Sequence, residues 1–351
     1  MKKDSKRDSS KSAIDIVVMW VNPADELWQR EKAKYTALEN NAPETDPNLI
    51  ARYRDWDNLC YWFRGIEKFA PWVRTIHFVT WRTVPAWLNT EHPKLNIVLN
   101  RDILPAGCDP VFSANPLETN LHRIEGIAER FVYFNDDMFL INDTQPDDFY
   151  FGGLPREMAV SYVLTNSKDN DTFSHMLFTM TGIINGFFSK QSVQKQHFFQ
   201  WFNPIYGKQL KTTILTAFQR QFSGILIPHL PSPMMKSTYE EVWSAIPEQL
   251  METAGHKFRN PMDITQYIFR YWAICKGEFK PTNIFRQGKE FFMNDGMLGD
   301  LCKTIEQKRY KMICINDDKK IENFERCRDS INSAFQKILP EKSSYEINLD
   351  V

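Results

Sequence analysis

Two adjacent carboxylates, Asp136 and Asp137, interrupt an apolar stretch, FVYFNDDMFL, at residues 131–140. Leaving both charges unpaired in a low-dielectric interior would cost several kcal/mol or more. The pattern therefore calls for a metal ion, a cationic partner or an open cleft beside the doublet. A hard divalent cation such as Mg²⁺ binds carboxylate oxygens and completes its shell with water or with phosphate oxygens of a substrate. The doublet is thus a candidate site for Mg²⁺ or Mn²⁺.

Apolar runs elsewhere in the sequence predict the elements that must hold the doublet in place. Four of these runs predict strands: residues 14–21, 75–81, 95–99 and 131–134. Apolar residues at helical spacing predict one helix at residues 56–70 and another within 115–130. This alternation predicts a mostly parallel sheet with helices on both faces. Ligands bind beyond the carboxyl ends of the strands in such sheets, which is where the doublet follows its strand.

After about residue 150 the sequence becomes rich in aromatic residues at helical spacing. Residues 236–250 and 319–339 predict amphipathic helices, whereas strand signals are confined to residues 158–164 and 311–315. We therefore predict an α/β fold with a mostly parallel sheet flanked by helices and a largely helical second part.

Charge and cysteine content exclude several classes of protein. The 43 basic and 44 acidic residues nearly balance, which argues against sequence-independent binding of nucleic acid. The six cysteines include no CxxC pair and no apolar leader follows the N-terminus, which favours reduced thiols in a cytosolic protein. No apolar run reaches the roughly 18 to 20 residues needed to span a bilayer. The basic N-terminus is expected to be a disordered tail or to contact an anionic lipid surface.

Two basic residues are candidates for chemistry beside the doublet. Arg123, on the helix predicted before the fourth strand, is the preferred phosphate clamp, because a guanidinium group matches the geometry of phosphate oxygens. The alternative for this arginine is a solvent-exposed ion pair. His229 lies in a proline-containing loop at residues 227–237 and is the candidate general base, because histidine titrates near neutral pH. The alternative for His229 is a purely structural histidine.

Four blocks of the sequence resemble the Stealth family of bacterial capsular and cell-surface polysaccharide phosphotransferases, which are similar to the catalytic subunit of the lysosomal-enzyme GlcNAc-1-phosphotransferase. The blocks contain IDIVVMWVNPAD, then RYRDWDNLCYWFRGIEKF through FVYFNDDMFL, then IPHLPSPMMKSTYEEVW with FRNPMDI, and finally KMICINDD. The resemblance implies a glycosyltransferase-like sheet. It also implies transfer of hexose-1-phosphate or N-acetylhexosamine-1-phosphate from a UDP-sugar to a hydroxyl of an acceptor glycan, with release of UMP.

The resemblance also implies roles for individual residues. The implied catalytic residues are His229, Arg123 and Asp55, and the implied metal ligands are Asp136, Asp137 and Asp317. The implied substrate-binding residues are Asp15, Trp20, Asp25, Arg54, Asn115, Glu118, His122 and Asn316. One departure concerns WVNPAD, where the family usually has WVDGSD or a similar sequence. Asn22 carries no charge there, so Asp25 or the doublet must contribute more.

With the family's organisation in mind, we expect four segments. These are a basic disordered tail (1–13), a nucleotide-sugar-binding α/β part (14–165), a mostly helical acceptor and catalytic part (166–310), and a C-terminal strand and helix that pack back on the core (311–351). If the acceptor is lipid-linked, the enzyme is expected at the cytoplasmic face of the plasma membrane. The alternatives are a metal-dependent glycosyltransferase that releases UDP and a carbohydrate-binding module without turnover. Nucleic acid is not an expected partner, and no oligomeric state is predicted.

Overall fold

The computed structural model describes residues 13–39, 54–165, 172–317 and 321–348. Apart from Ala13, the basic tail expected at residues 1–13 lies outside the described residues. The strands are β1 (Ile14–Trp20), β2 (Ile76–Thr80), β3 (Leu95–Leu99), β4 (Arg130–Asn135), β5 (Met138–Leu140), β6 (Tyr150–Phe151), β7 (Leu154–Glu157), β8 (Ser232–Met235), β9 (Lys280–Pro281), β10 (Gly288–Phe292) and β11 (Met312–Asn316).

The α-helices fall into two groups along the chain. Those before residue 160 are α1 (Glu26–Leu38), α2 (Leu59–Phe69), α3 (Asn100–Ile103), α4 (Asn115–Glu118) and α5 (Pro146–Phe149). Those after it are α6 (Thr172–Phe187), α7 (Lys190–Gln196), α8 (Phe198–Trp201), α9 (Leu210–Leu215), α10 (Lys236–Ala245), α11 (Pro247–Gly255), α12 (Tyr267–Lys276), α13 (Leu298–Glu306) and α14 (Phe324–Ile338). The second part of the chain is therefore largely helical, as predicted.

The main sheet has the strand order β3-β2-β1-β4-β8. Strands β1 to β4 are mutually parallel, which confirms the predicted sheet and its four strands. Their continuous apolar character reflects burial on both faces, since Ile16, Val17 and Val18 of β1 are all fully buried. Strand β8 is antiparallel to β4 and lies at the edge, a position that tolerates Pro233 because an edge strand has a row of N–H groups without partners.

A second sheet, ordered β10-β11-β5, lies beside the carboxyl end of β4. The predicted strand at residues 311–315 is confirmed as β11, which pairs parallel to β10 and antiparallel to β5. Strands β4 and β5 are separated only by Asp136 and Asp137, yet they belong to different sheets. The doublet is consequently the connection between two sheets.

A third, small sheet joins the first half of the chain to α12. Its order is β6-β7-β9, and Glu157 at the end of β7 forms a buried ion pair with Arg270 of α12. Helix α12 is buried along nearly its whole length, and it packs into a hydrophobic core that also includes the main sheet and α14. Among the described residues, no helix combines the length and apolar character needed to cross a bilayer.

The helix predicted within residues 115–130 is wrong. The structure has the single turn α4 and then a turn of 3₁₀-helix at Leu121–Arg123, while Gly126 adopts a left-handed conformation (φ 73°) that no α-helix accommodates. Leu117, Leu121 and Ile124 are nevertheless all buried. Their helical spacing reflects two short turns that pack on the same core, so periodicity alone could not distinguish these turns from one helix.

Two further element predictions need correction. Residues 158–164 form only an isolated bridge, between Ser161 and Ile225, instead of a strand. The helix predicted at 236–250 is two helices, because Ile246 is non-helical (ψ 52°) and Pro247 begins α11. Proline disfavours a helical residue before it and suits the first turn of a new helix. The helix predicted at 319–339 is present as α14, but it begins only at Phe324, where Asn323 caps it.

Candidate active site

The doublet occupies the turn that follows the carboxyl end of β4. The turn is held from the second sheet, because the backbone N–H of Ile315 donates a hydrogen bond of 2.8 Å to the carbonyl oxygen of Asp137. Asp136 is exposed, whereas Asp137 is half-buried. The carboxylates therefore emerge from the sheet at its ligand-binding edge, where Asp136 reaches the solvent of the cleft and Asp137 is the more enclosed of the two.

The surroundings of the doublet disfavour two negative charges. Loss of bulk water, together with the charge of Asp137, raises the pKa of Asp136 to about 7. Burial raises the pKa of Asp137 to about 6. In addition, the Oδ1 atom of Asp137 is buried and has no hydrogen-bond partner. A buried carboxylate oxygen without a partner, next to a second carboxylate, is an arrangement that a bound cation would stabilise.

One atom from each of Asp137, His229 and Cys314 lies within 4.8 Å of the other two. The Cys314 thiol donates to Asp137 Oδ2 at 3.4 Å. Burial and the charge of Asp137 raise the pKa of Cys314 well above its ordinary value, so the sulfur is a neutral thiol at neutral pH. The anionic donors here are carboxylate oxygens, which fit a hard cation such as Mg²⁺ or Mn²⁺ better than a thiolate-bound metal.

The imidazole of His229 faces the doublet from the loop before β8. Its Nε2 atom lies 3.9 Å from Asp137 Oδ2 and 3.2 Å from Asn135 Nδ2, and its Nδ1 atom lies 3.1 Å from the hydroxyl of Tyr267. Burial lowers the pKa of His229, although the negative charges of Glu290 and Glu118 oppose this shift. A neutral imidazole is the form that can accept a proton.

A chain of hydrogen bonds reaches His229 from the buried side of the sheet. The hydroxyl of Tyr133 contacts both Glu118 and Asn135, and Asn135 in turn contacts His229. Glu118 is buried, accepts a hydrogen bond from the backbone of Gln266 at 3.1 Å, and has a raised pKa because of its burial. Glu118 therefore helps to orient Asn135 through the hydroxyl of Tyr133, without facing the doublet itself.

Arg54, Asp55 and Asn316 lie near the same edge as the doublet. Arg54 forms an ion pair of 3.5 Å with Asp317, which follows the end of β11. Asp55 is exposed, and its charge contributes to the raised pKa of Asp136. Asn316 is the last residue of β11, and its carbonyl accepts a hydrogen bond from Met293. The structure thus brings residues that lie more than 250 positions apart in the sequence to the same edge as the doublet.

Three implied site residues lie elsewhere. Asp15 is fully buried near the amino end of β1, bound to Arg74 and His77, roughly 16 Å of strand away from Trp20. His122 packs against Tyr239 and Trp243, and Arg123 stacks on Trp243 at 4.8 Å. Tyr239 in turn packs on Phe131 at the amino half of β4. Asp15, His122 and Arg123 therefore line the edge opposite to the doublet.

Trp20, Asp25 and Asn115 have structural partners. Trp20, at the carboxyl end of β1, packs its ring 5.7 Å from that of Phe78. Asp25 caps α1 by accepting hydrogen bonds from the backbone of Leu27 and Trp28. Asn115 is buried, and its amide donates to Asp263 at 2.7 Å. The polar atoms of Asp25 and Asn115 are therefore used in structural hydrogen bonds. Trp20 lies at the expected edge, at the carboxyl end of β1.

Two charged residues of the site were missed by the sequence analysis. Glu290 of β10 accepts a hydrogen bond from the backbone N–H of His229, and burial raises its pKa. Arg259 is exposed, and its charge acts on both His229 and Glu118. Glu290 lies in no recognised motif. Arg259, however, belongs to FRNPMDI, which was part of the family resemblance, so its signal was present in the sequence.

A parallel sheet with a carboxylate doublet and a histidine at its carboxyl edge is typical of enzymes that bind their ligands beyond the ends of the strands. The profile described as "Stealth protein CR2, conserved region 2" matches residues 52–156. Curated phosphotransferases more than 30% identical to the chain align with 95% of it. The chain therefore belongs to the Stealth family, which confirms the resemblance seen in the sequence.

The curated relatives cover almost the whole chain. The receptor polysaccharide phosphotransferase WefC of Streptococcus gordonii is 37% identical over 95% of this chain and 99% of its own. The capsular polysaccharide phosphotransferase WcwK of Streptococcus pneumoniae is 34% identical over 95% and 99%. The exopolysaccharide phosphotransferase cps2G of Lactiplantibacillus plantarum is 34% identical over 95% and 96%.

Solved structures show only a distant likeness. The galactosyltransferase LgtC, in complex with donor and acceptor sugar analogues, is 10% identical with a TM-score of 0.36, covering 91% of this chain and 95% of its own. Mouse xyloside xylosyltransferase 1 is 13% identical with a TM-score of 0.35, covering 87% and 98%. At these scores the likeness carries no argument about the site.

Proposed function

We propose that this enzyme, a sugar-1-phosphate transferase of the Stealth type, transfers hexose-1-phosphate or N-acetylhexosamine-1-phosphate from a UDP-sugar to a hydroxyl of an acceptor glycan. The product is a phosphodiester in a capsular or cell-surface polysaccharide, and the leaving group is UMP. The observation that carries the proposal is the doublet at the carboxyl end of β4, with an unpartnered Asp137 oxygen, in a chain of this family.

The bond changes are those of phosphoryl transfer. The acceptor oxygen forms a bond to the β-phosphorus of the donor, and the bond from that phosphorus to the oxygen bridging the two phosphates breaks. UMP leaves with the bridging oxygen and its electron pair. Catalysis of this kind depends on in-line positioning and on neutralising charge on the phosphate oxygens.

Asp136 and Asp137 would hold a Mg²⁺ or Mn²⁺ ion, and Asp317 is a further candidate ligand. The unpartnered Oδ1 of Asp137 and the raised pKa of Asp136 support this assignment. When bound, the ion would supply positive charge for the diphosphate of the donor. Arg54 contacts Asp317 and would orient that carboxylate.

We assign the base role to His229: the acceptor hydroxyl would replace the amide N–H of Asn135 at Nε2 and pass its proton to that atom, while the hydroxyl of Tyr267 holds the ring at Nδ1. Its lowered pKa keeps the imidazole neutral and ready to accept. Arg259, exposed and within electrostatic reach of His229, stabilises the negative charge of the transferring phosphoryl group. Arg259 replaces Arg123 in this role, because Arg123 stacks on Trp243 at the other edge of the sheet.

The acceptor and the place of action follow from the same proposal. A hydroxyl on a growing, lipid-linked glycan is the expected nucleophile, and the donor is a UDP-sugar. The enzyme would then act in the cytoplasm, at the inner face of the plasma membrane.

Donor labelled with ³²P in the β-phosphate tests the reaction. A panel of UDP-hexoses and UDP-N-acetylhexosamines is incubated with the enzyme, Mg²⁺ or Mn²⁺ and candidate glycans, and UMP is quantified. The label should appear in the glycan in amounts equal to the UMP released. His229→Ala should lower that rate about 10²- to 10⁴-fold. Release of UDP with unlabelled glycan would show a glycosyltransferase instead, and absence of turnover with every donor would favour a binding module.

A further inference from the structure

One long segment of the chain contains no acidic residue. Among the 68 residues from Thr172 to Tyr239 there is no Asp and no Glu, although the whole chain has 44 acidic residues in 351. The same segment contains six basic residues: Lys190, Lys195, Lys208, Lys211, Arg220 and Lys236. Lys190 is buried, but the other five give the surface of this segment a positive charge, in a protein whose net charge is only −1.

The acid-free segment also exposes large apolar side chains. Phe218 is 79% exposed, Leu215 is 61% exposed and Ile214 is 57% exposed, all within or just after α9. Tyr162 and Val163, which precede the segment in the chain, are 42% and 47% exposed. Single exposed apolar residues are common on protein surfaces, but a cluster rimmed by basic residues is typical of an interaction site.

Backbone and side-chain contacts bring these residues into one patch. The N–H of Ser161 donates to the hydroxyl of Thr213 at 3.0 Å, which places Tyr162 and Val163 beside α9. On the other side, buried Lys190 donates to the carbonyl of Thr216 at 2.7 Å. We call this patch the lipid face and define it by the following residues: Tyr162, Val163, Lys211, Ile214, Leu215, Phe218 and Arg220.

We propose that the lipid face docks the protein on an anionic bilayer surface, with the apolar side chains in the interface and Lys211 and Arg220 against lipid phosphates. A second copy of the chain is a poorer occupant. A twofold interface would press the same basic residues of both copies together, and the acid-free segment offers no carboxylate to pair with them. Gly277 packs against His197 of this segment, and Glu278 is the next residue in the chain. The carboxylate of Glu278 already forms an ion pair of 2.9 Å with Lys276, so it is not free to neutralise the basic residues of a second copy.

The lipid face is close in sequence and in space to the candidate base. The backbone of residues 223–226 pairs with that of residues 160–164, and His229 follows directly. Docking would thus present the His229 loop towards a membrane on which a lipid-linked acceptor resides. The docking inference itself rests on the surface alone and goes beyond the proposed reaction.

Vesicle flotation tests the inference without donor or acceptor, so its result is independent of the reaction. The full chain should float with vesicles of phosphatidylcholine and phosphatidylglycerol at least about 10-fold more than with phosphatidylcholine alone, and high salt should weaken binding. Lys211→Glu/Arg220→Glu and Leu215→Ser/Phe218→Ser should each reduce binding about 10-fold. Circular dichroism should show that both variants remain folded.

Matched controls are available on other faces. Leu38→Ser and Lys303→Glu alter an exposed leucine and an exposed lysine outside the lipid face, and both variants should bind as the wild type does. The inference is overturned if the wild type ignores anionic vesicles or if the lipid-face variants bind normally. It is also overturned if only neutralising the N-terminal lysines abolishes binding. Self-association of the wild type in sedimentation velocity, lost in the lipid-face variants, would likewise overturn it in favour of a second copy.

Discussion

Asp136 shows how the chemistry of the site acts against the stability of the metal-free protein. Its pKa is raised to about 7 by loss of water and by the charge of Asp137, so its ionised form at pH 8 costs free energy in the folded state. The unfolded chain bears a smaller cost, because both carboxylates are fully hydrated there even though they stay neighbours in the sequence. The doublet is therefore a destabilising feature whose compensation is expected from a ligand.

Asp136→Asn is expected to raise the melting temperature of the metal-free protein at pH 8, because it removes this repulsion. The same change should abolish UMP release and reduce the shift in melting temperature that Mg²⁺ or Mn²⁺ causes. Differential scanning calorimetry with and without metal measures both effects. Asp147→Asn is the matched control, since Asp147 is exposed and its neighbour Asp148 pairs with Lys311, at the end of β11 away from the doublet, and it should change neither quantity. An unchanged metal response in Asp136→Asn would place the ion elsewhere.

We expect substitutions of Arg259 and Arg123 to have different effects on the rate of UMP release. Arg259→Ala should lower kcat/KM for UMP release about 10²- to 10³-fold, the usual effect of losing one donor to a developing charge. Arg259→Lys should recover part of the rate, since lysine keeps the charge but lacks the planar fork. Arg123→Ala should stay within about twofold of the wild type, because Arg123 stacks on Trp243. Steady-state kinetics at saturating metal measures all three, and the reverse order would reinstate Arg123 as the clamp.

At the scale of elements, the position of α2 over the second sheet depends on one glycine. Gly65 lies in the middle of α2, and a Cβ atom there would sit 2.9 Å from the carbonyl oxygen of Leu140 in β5. Because that atom belongs to the backbone, it cannot rotate away. The absent side chain allows α2 to approach β5, and β5 in turn begins directly after the doublet.

Gly65→Ala is therefore expected to destabilise the protein, although alanine is favoured over glycine in a helix by about 1 kcal/mol. The clash with Leu140 should outweigh that gain and lower the urea midpoint. Gly182→Ala is the matched control, because Gly182 lies within α6 and a Cβ atom added there would meet no neighbouring group within 4 Å. Its urea midpoint should rise, because alanine should increase the free energy of unfolding by about 0.5 to 1 kcal/mol. A higher urea midpoint for both variants would contradict the prediction, because it would show that α2 can move away from Leu140 without loss of stability.

At the scale of the whole molecule, the amino edge of the main sheet is a structural region with its own buried polar groups. Asp15 is fully buried there, and its contacts with His77, Arg74 and the backbone of Ala128 lower its pKa against the effect of burial. His122 lies at the same edge with a buried Nδ1 atom that has no hydrogen-bond partner. Burial and the charge of Arg123 lower the pKa of His122 to about 4.

The pKa of His122 predicts how global stability depends on pH. An unfolded histidine binds its proton near pH 6.5, whereas folded His122 binds it only near pH 4. The unfolded state thus holds more protons between these values, and stability should fall by about 2 to 3 kcal/mol as pH drops from 6.5 to 4. His122→Phe should remove that part of the slope. Urea unfolding of both proteins at half-unit pH steps measures it, and parallel slopes would contradict the prediction.

Elements with a distinctive local pattern of residues were predicted correctly from the sequence. The prediction was wrong where the same spacing of apolar residues fits two different structures. Strands β1 to β4 were recognisable because continuous apolar runs bounded by polar residues leave few alternatives. The segment around Leu121 was misread because buried residues three and four apart occur in successive short turns as well as in a helix. Asp136 and Asp137 were found through their conflict with the apolar pattern. Glu290 was not found, because its relation to His229 exists only after β10 packs beside that loop.

The sequence by itself determined the parallel sheet, the position of the doublet at a strand end and the membership of the Stealth family, since each depends on contiguous residues. Only the tertiary structure decided which charged residues share an edge with the doublet. Arg123 is 13 residues from Asp136 and lies at the far edge, whereas Arg259 is far away in sequence and acts on His229. A strand carries its two ends roughly 16 Å apart within a few residues, so proximity along the chain does not predict proximity in space.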